Sequence, residues 1–148
     1  MTPAVAADLH DMVAARLRAT GQRYTPKRHD LVETLQRAGK PLSIADVLAG
    51  RPGLPQSSLY RNLAVLEQAG VVRRIVTDED YGRYELAEDL TEHHHHLICS
   101  NCGRVEDVTI PTTFEDTIDR TLDRLARRTG FARVSHRLDL IGTCRNCA

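Results

Sequence analysis

The chain has 148 residues, 41% of them apolar, which is enough to bury the core of one ordinary domain or of two small ones. No stretch is apolar for long enough to serve as a signal peptide or a transmembrane helix, so a membrane protein is excluded and a cytoplasmic location is predicted. The net charge is zero, which argues against a nucleic-acid binder, but residues 1–84 carry 12 lysines and arginines against 9 acidic residues, whereas residues 85–148 carry 8 against 11.

Four helices are predicted in the front half of the chain. Thr-Pro pairs open the first two, over residues 2–20 and 25–38, and a glycine follows each of them. A capping box at Ser43 and Asp46 opens a short third helix that runs to Ala49. The fourth helix begins near Ser57 or Ser58 and is followed by a glycine at residue 70.

The fourth helix has an apolar side and a polar side. Its core positions recur at helical spacing and are Leu59, Leu63 and Leu66. This places Tyr60, Arg61 and Asn62 toward the outside, and these residue types can reach phosphates and base edges.

A β-hairpin is predicted next, with strands over residues 71–77 and 83–87 joined by an acidic turn at 78–82. Short helices followed by a hairpin are typical of a winged helix-turn-helix, in which the second helix of the pair enters the major groove of DNA. A helical module that binds protein is the alternative interpretation.

The back half predicts a small α/β unit. Strands are expected over residues 96–99, 105–110 and 134–141, with a helix from Thr112 or Thr113 to Thr129. The unit has few apolar residues, so we expect dimerisation to bury more surface. The predicted fold class is therefore α+β, with a winged-helix domain over residues 1–87, a hinge at about 85–93 and an α/β dimerisation domain over 94–148.

Two CxxC pairs, Cys99 with Cys102 and Cys144 with Cys147, form the most specific motif. In the cytoplasm cysteines are expected to be metal ligands or redox groups rather than disulfides. Four thiolates complete a tetrahedral zinc ion and leave no open position, which predicts a structural Zn2+ site. One pair alone could serve as a redox dithiol, and oxidation that releases the zinc is a further alternative.

Four consecutive histidines occupy residues 93–96 and continue into Leu-Ile-Cys, unlike a terminal purification tag. In an extended segment alternate side chains point to opposite sides, so the run divides into two pairs, each needing further ligands. The candidates for those ligands are Glu85, Asp107, Glu115 and His136. Each has a simpler interpretation: Glu115 would favour a helix dipole in any case, and His136 could be a core histidine.

The chain resembles the ferric uptake regulator superfamily of bacterial metal-responsive repressors. The resemblance rests on the segments RYTPKR at residues 23–28, SLYRNL at 58–63 and HHHHLIC at 93–99, together with the two CxxC pairs. It implies a winged-helix domain joined by a hinge to a dimerisation domain, with a metal in the hinge setting the angle between them. It also implies a homodimer that represses metal-homeostasis genes from a palindromic operator in double-stranded DNA.

The resemblance assigns the functional residues in three groups. Tyr60 and Arg61 would contact DNA from the recognition helix, and Arg23 would reach the minor groove. The regulatory hinge site would consist of Glu85, His94, His96 and Asp107. A further site in the dimerisation domain would consist of His93, His95, Glu115 and His136.

The identity of the sensed metal stays open between Fe2+ and Zn2+, with Mn2+ as a further candidate. Many members have an additional histidine ligand where this chain reads Lys40-Pro41-Leu42-Ser43, and His95 stands where iron sensors often have aspartate. A peroxide sensor that oxidises His94 or His96 is the alternative function. The enzyme alternative, a zinc hydrolase with Glu92 as general base, lacks a recognisable substrate pocket, so no enzymatic activity is predicted.

Overall fold

The structure, a computed structural model, describes residues 3–76 and 82–148, and side chains from residue 8 onward within those ranges. The chain divides into two compact units, Met1–Glu92 and His93–Ala148, each with a three-stranded sheet. The α+β class predicted from the sequence is confirmed. Most of the predicted acidic turn, at residues 78–81, lies outside the described residues.

The front unit is mainly helical. Its elements are α1 (Pro3–Ala19), α2 (Pro26–Ala38), β1 (Leu42–Ser43), α3 (Ile44–Ala49), α4 (Gln56–Gln68), β2 (Val72–Ile75), β3 (Arg83–Leu86) and a 3-10 turn at Glu88–Leu90. Two of the predicted start signals function as expected: the Thr25 side chain accepts a hydrogen bond from the Arg28 amide, and Ser43 and Asp46 form a reciprocal capping box. Thr2, predicted to open the first helix, lies outside the described residues. The start predicted for α4 was slightly late, because the helix begins directly after Pro55 without a side-chain cap.

The front sheet has the order β1-β3-β2, with both pairs antiparallel. The β2–β3 hairpin was predicted, whereas β1, only two residues long, was not. The three α4 leucines predicted as core are at most 1% exposed and pack with buried residues of α1, α2 and the sheet. In α1, Leu9, Val13 and Leu17 are buried, whereas Met12 is 36% exposed.

The back unit consists of β4 (His95–Cys99), β5 (Val105–Val108), α5 (Thr112–Thr129) and β6 (Asp139–Gly142). β4 is central, antiparallel to β5 and parallel to β6. The last strand is shorter and later than the predicted 134–141, because β6 pairs with β4 only from Asp139 to Gly142. His136 therefore precedes the strand instead of lying on its face.

The apolar residues of the back unit remain largely exposed. In α5, which is described along its whole length, Ala126 is the one buried residue. Large side chains at the surface of this unit include Phe114, Leu125, Phe131 and Ile141, each more than half exposed. Within residues 3–76 and 82–148, no helix is long and apolar enough to cross a membrane.

Candidate metal centres and nucleic-acid interface

The predicted DNA-contacting residues lie on α4 and on the loop between α1 and α2. Tyr60 is 47% exposed and Arg61 is also exposed, as is Arg23 on the loop. Asn62 differs from the sequence-based expectation, because its side chain is only partly accessible and is engaged within the unit. Its Oδ1 accepts a hydrogen bond from Arg28 Nε at 3.0 Å, and its Nδ2 donates to the Ser58 carbonyl at 3.0 Å.

Arg28 connects the two surfaces that carry these residues. Besides its contact with Asn62, its Nη1 donates to the carbonyl oxygen of Arg23 at 2.7 Å. One guanidinium thus links α4 to the loop that carries Arg23. Arg28 was not predicted as a functional residue, since only the folded chain brings it to position 62.

The four cysteines converge at one end of the back sheet, with their Sγ atoms within 4.8 Å of one another. Cys99 ends β4 and Cys102 lies in the following turn, while Cys144 and Cys147 follow β6. The Sγ atoms of Cys102 and Cys144 are 3.8 Å apart. Four thiol ligands at these distances match the donor set of a closed tetrahedral zinc site.

The electrostatics of the cysteine cluster favour a bound cation. Backbone amides, first that of Cys144 and then that of Cys102, lower the pKa of the Cys99 thiol to about 6. At Cys147 the Asn101 side chain favours the thiolate, but Cys144, burial and the other cysteines together raise the thiol pKa to about 12. A bound cation would stabilise the thiolate form of Cys147 against these unfavourable neighbours.

A second cluster contains the predicted residues His93, His95, Glu115 and His136, with one ligand atom of each within 4.8 Å of the others. Glu115, in the first turn of α5, hydrogen-bonds the buried His95, and its Oε1 is 3.2 Å from His93 Nε2. Its Oε2 is 3.0 Å from His136 Nε2, yet neither of these two buried atoms has a hydrogen-bond partner within the described part of the chain. An ion between the two atoms would satisfy both, so the cluster fits a metal site.

Two features prepare this second cluster for a cation. Burial raises the pKa of Glu115, but the hydrogen bond from His95 and the charges of His95, His93 and His136 outweigh it and hold that pKa below its ordinary value. Asp119 Oδ1 lies 3.2 Å from His136 Nδ1, which leaves Nε2 facing the cluster. Asp119 was not predicted, although its position four residues after Glu115 places it on the same side of a helix.

Three of the four predicted hinge residues lie together in the back unit. His96 stands directly opposite Asp107 in the β4–β5 ladder, with Nε2 and Oδ1 3.7 Å apart. His94 Nε2 is 3.9 Å from the other Asp107 oxygen. Asp139 on β6, also not predicted, has Oδ1 3.2 Å from His96 Nδ1 and so directs His96 Nε2 toward Asp107.

The fourth predicted hinge residue, Glu85, belongs to the front unit. It is buried on β3 and forms an ion pair with Arg73, its direct partner across the β2–β3 hairpin. Arg73 Nε donates to Glu85 Oε1 at 3.2 Å. That Glu85 joins the three hinge residues of the back unit stays a prediction.

Comparisons with known proteins identify the family of the chain. Residues 19–141 match the model of the ferric uptake regulator family. The chain belongs to this family. The regulator is 31% identical over 136 residues to the peroxide operon regulator of Bacillus subtilis, with 89% of this chain and 88% of the relative covered. It is 29% identical over 139 residues to the ferric uptake regulation protein of Synechococcus elongatus, with 90% of each chain covered.

The fold of the regulator is similar to that of the Helicobacter pylori ferric uptake regulator, with a TM-score of 0.71 at 23% identity, covering 96% of this chain and 93% of the other. The regulator is therefore a metal-responsive, DNA-binding transcriptional regulator rather than an enzyme. Proteins of this family bind DNA operators as dimers. Its cysteine and histidine–carboxylate clusters fit the metal binding of the family.

Proposed function

We propose that the regulator is a cytoplasmic homodimeric repressor of metal-homeostasis genes, and that Fe2+ or Zn2+ at the hinge site controls its binding to a palindromic operator. The DNA-binding domain would cover residues 1–87, with a hinge at about 85–93 and a dimerisation domain over 94–148. The observation that carries the proposal is the convergence of His94, His96 and Asp107, with Asp139 orienting His96.

The hinge ligands would come from both units. Glu85 would complete the set formed by His94, His96 and Asp107, so that one divalent ion would restrict the wing relative to β4. Two neutral imidazoles and two carboxylates are ligands that both Fe2+ and Zn2+ accept, and Mn2+ is a further candidate. Glu85 would have to exchange its pairing with Arg73 for the metal, so Arg73 would weaken metal affinity and thereby set the response threshold.

DNA contact would be made by α4 and the loop before α2. Tyr60 and Arg61 would enter the major groove, and Arg23 would reach the minor groove. Asn62 would act indirectly, by holding Arg28 against the loop that carries Arg23. In a dimer the two recognition helices must lie about 34 Å apart to occupy successive turns of DNA. Restriction of the hinge would favour this spacing, since a ligand shifts a population toward the conformation that it binds more tightly.

The other two clusters would support the dimerisation domain. The four cysteines would hold a structural zinc ion that joins the end of β4 to the C-terminus. The cluster of His93, His95, Glu115 and His136 would hold an additional ion beside α5. Neither of these two ions would have to exchange with the metal that is sensed at the hinge.

The hinge is tested by measuring binding to the promoter of the protein's own gene by gel shift, at buffered free Fe2+, Mn2+, Zn2+ and Ni2+. The double variant His94→Ala, His96→Ala should lose the metal dependence of DNA binding, because two of four hinge ligands are removed. Glu92→Gln, next to the histidine run but outside the three clusters, is the control and should respond as the wild type does. Operator binding by the double variant that still depends fully on added metal would contradict the proposal.

Peroxide sensing is the second candidate function, favoured by the 31% identity to the Bacillus subtilis peroxide operon regulator. With Fe2+ in the hinge, hydrogen peroxide would oxidise a carbon of His94 or His96, inserting one oxygen atom while the other leaves as water. Mass spectrometry of protein exposed to Fe2+ and peroxide would then show a gain of one oxygen at one of these histidines, and none with Zn2+. If the histidines stay unmodified while DNA binding still responds to iron, peroxide sensing is excluded and metal sensing is the function that remains.

A further inference from the structure

A fourth group of potential metal ligands lies in the front unit, remote in sequence from the histidine run. His10 lies on α1, and His29 and Glu33 lie one turn apart on α2, with one ligand atom of each within 4.8 Å of the others. Glu33 Oε1 is 3.7 Å from His10 Nε2 and 4.0 Å from His29 Nδ1. The carboxylate thus lies within reach of a nitrogen from each of two helices.

Neighbouring side chains hold these groups in place. The Tyr24 hydroxyl is hydrogen-bonded to His10 Nδ1 at 2.6 Å, which directs Nε2 toward Glu33. Arg37 donates to Glu33 Oε2 at 3.1 Å and leaves Oε1 facing the histidines. Partners that occupy the outer atoms and leave the inner atoms toward a common point are characteristic of metal ligands.

We propose that His10, His29 and Glu33 form a binding site for a divalent transition-metal ion of the Zn2+ type in the DNA-binding unit. Two imidazoles and a carboxylate make a three-ligand set with one position left for water. Tetrahedral ligands about 2.1 Å from one ion lie about 3.4 Å apart. Glu33 Oε1, now 3.7 Å from His10 Nε2 and 4.0 Å from His29 Nδ1, must therefore move closer to both nitrogens by a few tenths of an ångström. The two imidazole rings, now stacked with centroids 3.8 Å apart and 9° between their planes, must tilt so that both ring nitrogens face the ion.

The protonation state of His10 suits this role. Burial, and then the charge of His29, lower its pKa, although Glu33 and Asp11 act in the opposite direction. A lowered pKa favours the neutral imidazole, which is the form that binds a metal ion.

A bound ion would fasten α1 to α2 at the loop that carries Arg23 and Tyr24. This loop is also held from α4 through Arg28. Occupancy would therefore hold the predicted minor-groove residue in place independently of the hinge. Metal bound at this site would thus affect DNA binding from within the DNA-binding unit.

The test is a zinc titration of the full-length protein at about pH 7.5, with a chromophoric chelator as competitor. His10→Gln and Glu33→Gln should each lose one zinc equivalent per chain, or bind it at least about tenfold more weakly, since even outer-shell partners contribute about that much. Asp8→Asn, an exposed acidic residue on the same helix, is the matched control and should bind as the wild type does. Identical zinc stoichiometry and affinity in all four proteins would overturn the proposal.

Two further measurements separate this site from the hinge and from misfolding. In the His94→Ala, His96→Ala variant, zinc should still shift the imidazole NMR signals of His10 and His29; signals that stay unchanged at saturating zinc would overturn the site even if the hinge proposal holds. Tyr24→Phe, which keeps the ring and removes the hydroxyl, should weaken zinc binding about tenfold while circular dichroism still shows a folded protein. Unchanged affinity in this variant would contradict the positioning role of Tyr24.

Discussion

The two units of the regulator bury their apolar side chains to very different extents. The front unit has a continuous core to which α1, α2, α4 and the sheet all contribute. In the back unit the buried apolar residues are few, and they are Ile98, Cys99, Val105 and Ala126 within the described chain. The amphipathic helix α5 has its apolar side at the surface, with Leu125 54% exposed.

This difference indicates two sources of stability. Burial of apolar surface contributes about 25 cal/mol per Å2, so the front unit can be stable through its own packing. The back unit lacks such a core and instead concentrates ligand clusters and an apolar surface. In the back unit, metal binding and dimerisation would contribute the stabilising free energy that side-chain packing contributes in the front unit.

The largest expected effect is that of Cys144→Ser on the back unit. A structural zinc ion is worth on the order of 10 kcal/mol, and loss of one thiolate should remove enough of it to unfold this unit. We expect loss of tightly bound zinc and a decrease in far-UV circular dichroism. Because all four tyrosines lie in residues 1–92, tyrosine fluorescence should still report a folded front unit. A variant that keeps one tightly held zinc per chain would refute the structural role.

Next in size is the effect of Leu63→Ala on the front unit. This side chain is 1% exposed, and truncation of a buried leucine costs about 2–5 kcal/mol. Urea unfolding followed by tyrosine fluorescence should show this loss, while zinc content stays unchanged. Val76→Ala, at a residue 67% exposed, is the control and should alter stability by less than about 0.5 kcal/mol. Equal effects of the two substitutions would contradict a front unit that is stabilised by its buried core.

The apolar side of α5 is tested by Leu125→Asp. If this side forms the dimer interface, a buried unpaired carboxylate should weaken association by about 2 kcal/mol or more, which sedimentation velocity would detect as monomer. Arg120→Asp, five residues earlier and on another side of the helix, should leave the dimer intact. A dimer that survives Leu125→Asp at low protein concentration would place the interface elsewhere.

The smallest effect concerns the pH dependence of the front unit. The hydrogen bond from Arg16 lowers the pKa of Asp89 from its ordinary 3.8, so this pair adds stability above that pH and loses it as pH falls through the lowered pKa. Asp89→Asn should therefore lower the free energy of unfolding near pH 7 by less than about 1 kcal/mol, because Asp89 is largely exposed. The difference from wild type, measured by urea unfolding, should shrink below about pH 4. A difference that grows on acidification would contradict this assignment.

Local patterns were enough to predict much of the molecule. The leucines of α4 recur at helical spacing, Ser43 and Asp46 cap their own helix, and the β2–β3 hairpin pairs neighbouring segments. The two CxxC pairs indicated a common cluster because thiolates at that spacing have few other uses. The division of the histidine run into alternating pairs followed from the geometry of an extended strand, in which successive side chains point to opposite sides.

Contacts between distant segments had to come from the tertiary structure. The extent of β6 depends on where β4 offers a partner, and a strand as short as β1 leaves no periodic pattern. Asp139 reaches His96 only across the parallel β4–β6 pair, and Arg73 meets Glu85 across a hairpin. The sequence by itself thus determined which residue types can bind metal and, except for His136, on which local elements they lie. Only the tertiary structure decided which side chains orient these ligands. It alone also placed His10 beside His29 and Glu33, because such proximity depends on how separate helices and strands pack.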